Sequence, residues 1–76
     1  MAMRARNARW LVRWASRWID ASYSAYVRRD SGEVPKWWPN PWHHAAHFVC
    51  WWAIPLAIEI DVDAAGAQMA EESWWG

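Results

Sequence analysis

Cysteine is almost absent. Cys50 is the only one, so no disulfide can form within the chain. Glycine is scarce too, with three residues, and none sits in a loop that could cradle a phosphate. No serine stands in a nucleophile-elbow context, and no acid pair has a spacing that demands catalysis. An enzyme is therefore not expected, and no small-molecule substrate is evident. Long apolar runs are missing as well. The longest, Phe48–Ile58, falls well short of the roughly 20 residues that a membrane-spanning helix needs. Positive charge vanishes after Lys36: residues 37–76 contain no Lys or Arg.

What remains is a chain of 76 residues, enough for one small domain over 1–76. A core of that size supplies only roughly 3–5 kcal/mol by itself. The compensation is tryptophan, ten in all, including Trp-Trp pairs at 37–38, 51–52 and 74–75. Each indole buries roughly 150–250 Å² and carries an N–H that needs a partner when buried. So small a core cannot enclose ten of them, and several should lie where another molecule covers them.

Net charge is zero but divided. Residues 1–36 form a basic half with all eight Lys and Arg, and 37–76 form an acidic, Trp-rich half with Glu59, Asp61, Asp63, Glu71 and Glu72. Met1–Trp18 has an Arg every few residues and no apolar stretch, so a signal peptide is not expected. With the lone thiol, this suits the cytoplasm or a particle assembled there. Richness in Arg, Ala and Trp suits a bacterial or phage source.

The pattern predicts a mostly α fold. Residues 3–29 read as a long basic amphipathic helix, with Trp10, Trp14 and Trp18 on its apolar arc and Arg6, Arg9, Arg13 and Arg17 on the narrow polar one. A Trp/Pro linker follows. Asn40-Pro41 is an N-cap followed by proline at the first helical position, and it opens a short apolar helix over 41–53. Pro55 is expected to end it. Residues 56–63 alternate Ile58, Ile60 and Val62 with Glu59, Asp61 and Asp63, which predicts an extended acidic segment. Asp63 is then expected to cap a short C-terminal helix.

Three constellations could carry function. Arg6, Arg9, Arg13 and Arg17 form a stripe whose members repel one another. It asks for an anion or an acidic partner, and Glu59, Asp61 and Asp63 of the same chain could run alongside it. Nucleic acid is disfavoured because the isoelectric point is near neutral. His43, His47 and Cys50 recur at i, i+4 and i+7, which would present two imidazoles and a thiol to zinc. Trp37, Trp38, Trp42, Trp74 and Trp75 are the expected partner-binding indoles. The leading expectation is a non-enzymatic accessory protein that docks Trp side chains onto a larger phage or bacterial protein assembly. One alternative is a membrane-associated protein, lying at the interface through residues 3–29 or inserted through 42–62. Another is a metal-binding regulator using the His/Cys set.

Overall fold

From residue 2 to residue 30 nothing in the chain breaks a helix, and the computed structural model, which describes residues 2–72, forms one there, α1 (Ala2–Asp30). It ends where glycine first allows it to. Gly32 takes a left-handed φ of 87°. Its N–H donates to the carbonyl of Arg29 at 3.1 Å, and the Glu33 N–H reaches back to Arg28 at 3.0 Å. Those two bonds satisfy carbonyls that the helix end would otherwise leave open.

The mostly helical class holds. Two more helices follow, α2 (Pro41–Ile60) and α3 (Val62–Glu71). α2 starts as the sequence predicts, with the Asn40 side chain accepting from the His43 N–H at 3.3 Å and Pro41 in its first turn. Asn40 is 1 % exposed, and its Nδ2 donates to the Ser22 carbonyl of α1. One residue thus caps α2 and ties it to α1.

The predicted end of α2 at residue 53 is corrected: the helix runs through Pro55 to Ile60. Proline has no N–H, so the Trp51 carbonyl loses its donor. Pro55 and Trp51 lie on the exposed side of α2, where water replaces that bond cheaply. On the other side Ala46, Val49, Ala53 and Ala57 form a buried row, and burial of that row outweighs the local break.

The extended segment over 56–63 is corrected with it. Among those residues only Asp61 is extended, with φ −161° and ψ 99°. It joins the two helices, its N–H donating to the Ala57 carbonyl. Its carboxylate accepts from the Ala64 N–H at 3.0 Å. Asp61, rather than Asp63, is therefore the cap of α3. The two-residue alternation is too short to compete with two helical faces, one burying Ala57 on α2 and the other Ala64 and Ala65 on α3.

α2 runs antiparallel to α1, and α3 turns back along the first third of α1. The centre consists of Ala8, Leu11, Val12, Ala15, Val49, Ala53, Ala57, Ala64 and Ala65. These short side chains bring the helix backbones close together. The result is long and narrow, 47 × 20 × 16 Å. No helix among the described residues is long and apolar enough to cross a membrane, which removes the expected insertion of 42–62 as a spanning helix.

Candidate functional site: an indole seam edged by arginine

With an alanine centre, the large side chains are pushed to the seams between helices. Trp10, Trp14 and Trp18 stand four residues apart on α1 and so share one face. Trp10 and Trp14 stack nearly parallel, with centroids 5.7 Å apart and planes 7° apart. Trp18 meets Trp14 edge-on at 6.2 Å. From α2, Trp52 approaches Trp14 to 5.4 Å and Trp42 approaches Trp18 to 5.9 Å. Five indoles therefore run continuously along one side of the α1–α2 pair. Such contacts prefer offset or tilted geometry, as these do.

Arginines edge this run. Arg6, Arg13 and Arg17 are exposed on α1 beside it. Arg13 and Arg17 line a cavity of about 260 Å³ with Trp10 and Trp14. Arg17 also lines a second, of about 300 Å³, with Trp14, Trp18, Ala21 and Trp42. Each hollow combines indole walls with a guanidinium, which suits an anionic group attached to something apolar.

Arg9 is set apart from this stripe. Its Nη1 donates to Oε1 of Gln68 at 3.1 Å and lies 3.6 Å from Oε1 of Glu71, both on α3. Gln68 in turn donates to Glu72 at 3.0 Å. Arg4 donates to the Ile60 carbonyl at the end of α2, where a cation is favoured by the helix dipole. The acid that Arg9 meets is thus Glu71. The expected alignment of Glu59, Asp61 and Asp63 with the stripe fails because their segment is helical and the Asp61 carboxylate is spent as a cap.

On the other side of the α1–α2 pair, His43, His47 and Cys50 line a largely apolar cavity of about 350 Å³ with Ile19, Ser22 and Ala46. The helical spacing does bring the three together. His43 and His47 pack edge to face at 4.5 Å, His44 lies 5.6 Å from His43, and Tyr26 closes on His43 at 5.5 Å. Among the described residues, however, no group of three His, Cys, Asp or Glu side chains is arranged to hold a metal ion. The expected zinc residues His43, His47 and Cys50 thus share one cavity, with the two imidazoles packed edge to face. Burial holds the His43 pKa below its usual value, helped by the neighbouring His47 and His44. Burial also raises the Cys50 thiol, keeping it protonated.

Of the expected partner-binding indoles, Trp37 is 80 % exposed. Trp38 is half-buried, and Trp42 is partly exposed while joining the seam. Trp74 and Trp75 lie outside the described residues. Trp10, Trp14 and Trp18 are not among the expected partner-binding indoles, although their four-residue spacing is the sequence signal for a continuous ladder. Against protein-family models, curated proteins and solved structures, the chain matches none.

Proposed function

We propose that the protein is a non-enzymatic accessory module whose indole seam docks onto an acidic patch of a larger protein assembly. The observation that carries this reading is Arg17, placed between two indole-walled hollows with Arg13 beside it. Interfaces concentrate their energy in Trp and Arg held against well-packed surroundings. The indoles are already held against one another by the ladder, so little ordering entropy is lost in them on docking. Trp37, projecting from a connector braced by Pro35 and Pro39, adds a separate anchor.

A second reading, lying on an anionic membrane surface, is favoured by the same juxtaposition of Arg and Trp. Nucleic acid is less suited, because the ladder indoles spend their faces on one another and base stacking needs free ones.

The test is crosslinking in native host extract with wild type, Arg13→Glu/Arg17→Glu and Trp37→Ala. The expected result is one recurrent protein whose crosslinks map to the seam and disappear in both variants, while melting temperatures stay close to wild type. Sedimentation with anionic vesicles and no protein crosslink would favour the membrane reading. Unchanged crosslinks in both variants would remove the seam from the function.

A further inference from the structure

α2 has a second apolar surface, on the side turned away from α1. His44, Phe48, Trp51, Pro55 and Ile58 follow one another at intervals of four, three, four and three residues. That is the a/d spacing of a helix-pairing seam. The buried row of Ala46, Val49, Ala53 and Ala57 lies on the opposite side, so this outer row points outward. Its side chains are open to solvent: Trp51 is 76 % exposed, Phe48 64 % and Ile58 43 %. Val62, the first residue of α3 beyond the Asp61 break, is exposed as well. Aligned apolar exposure on this scale marks an interaction surface.

We propose that this row pairs two copies of the chain, antiparallel, about a two-fold axis passing between Trp51 and Pro55. Charge is the first reason. Glu59 is the only Asp, Glu, Lys or Arg on α2, and it lies to one side of the row. A self-complementary contact places every group opposite its own kind of surface, so a neutral row meets itself without repulsion. A strongly charged partner would find its complement on the arginine edge instead.

Size is the second reason. The bulky members, Phe48 and Trp51, precede the midpoint, and the smaller ones, Pro55 and Ile58, follow it. Antiparallel pairing sets Trp51 against Pro55 of the other copy and Phe48 against Ile58, large against small at each layer. Parallel pairing would force Trp51 onto Trp51 in one layer and leave Pro55 facing Pro55 in the next.

The third reason is polar. Trp51 of the other copy arrives beside the carbonyl that Pro55 leaves without a helical donor, and it brings an indole N–H.

One helix pair of about 30 Å covers less than the roughly 800 Å² per partner of a standard interface. The association is therefore weak and concentration-dependent. It uses a different face from the indole seam and does not rest on the docking reading.

Sedimentation equilibrium of the full chain tests it. The weight-average mass should rise from one chain toward two between about 10 µM and 1 mM, the range of weak association. Trp51→Glu and Ile58→Glu should each stay at one chain throughout with unchanged helical circular dichroism, whereas Arg13→Glu/Arg17→Glu should associate like wild type. Orientation is read in a Cys50→Ala background by copper-phenanthroline oxidation. Mixing Phe48→Cys with Ile58→Cys should give a mixed disulfide. Phe48→Cys alone should not crosslink, because antiparallel packing holds the two positions 48 about 15 Å apart. A wild type that remains one chain at 1 mM overturns the proposal, as does association that survives both Glu variants. Efficient self-crosslinking of Phe48→Cys overturns the antiparallel arrangement. If the wild type stays single while Trp51→Glu loses a host protein, the face belongs to that protein instead.

Discussion

The Trp14 ring of α1 lies 5.4 Å from the Trp52 ring of α2, tilted by 55°, and Trp14 also touches Trp10 and Trp18. This contact links the two long helices outside the alanine centre. Trp14→Ala should therefore cost about 3 kcal/mol, as large aromatic truncations do. Trp37→Ala should stay within about 0.5 kcal/mol of wild type, because its indole projects into solvent. Urea titrations followed by far-ultraviolet circular dichroism compare the two. Equal losses would mean that Trp37 also supports the fold.

Asn40 supplies a cap, a tether to Ser22 and a left-handed backbone with φ 49°. Asn40→Ala should lose about 1–2 kcal/mol, since alanine replaces neither bond and dislikes that φ. Asn40→Gly should lose less, because glycine accepts the backbone without strain. Thermal melts of both variants check the order, and a reversed order would deny that the backbone matters.

The joint between α2 and α3 separates two opposing local effects. Asp61→Ala removes the carboxylate that accepts from Ala64 and should destabilise by about 1 kcal/mol. Pro55→Ala restores a donor for the Trp51 carbonyl and should stabilise by about 2 kcal/mol, helix propensity gaining more than proline's unfolded-state restriction loses. Denaturation at low protein concentration keeps any self-association out of both numbers.

How much of this was legible in the sequence follows from the range of each interaction. α1 and the Asn40-Pro41 start of α2 depend on neighbours within a turn or two, so spacing revealed them. Pro55 signals a helix end locally, but the row Ala46, Val49, Ala53 and Ala57, whose burial depends on α1, carries the helix through it. The alternation around Ile58 and Glu59 fits a strand and a helix about equally over so few residues. Trp10, Trp14 and Trp18 could be aligned from their numbers alone. Trp52 and Trp42 join them only once the helices pack, and Arg9 meets Gln68 and Glu71 across 59 and 62 positions of chain. Separations of that kind leave no periodic trace.

His43 gives stability a pH dependence of defined sign. Its folded pKa lies below the ordinary imidazole value of about 6.5. The unfolded chain therefore binds the proton more readily than the folded one, and stability falls as pH drops from about 6.5 through the folded pKa. Tyr26, His44 and His47 are the ring neighbours that face it. His43→Phe keeps a flat ring against them and removes the titration. Its stability between pH 7.5 and 5 should decline less steeply than that of wild type in chemical denaturation, and parallel curves would assign the slope to other groups.

Ala8, Ala15, Ala53, Ala57 and Ala65 are wholly shielded from solvent, and a centre made mostly of single methyl groups reverses the usual pattern of tolerance at these positions. Truncation has almost nothing left to remove there, whereas each added methylene must prise apart helices that also set the indole seam. Saturation libraries selected for folding should accordingly recover alanine or glycine at these positions and drift freely at Trp37. The protein is guarded against growth at its middle and forgiving at its edge, the inverse of a domain packed with leucine.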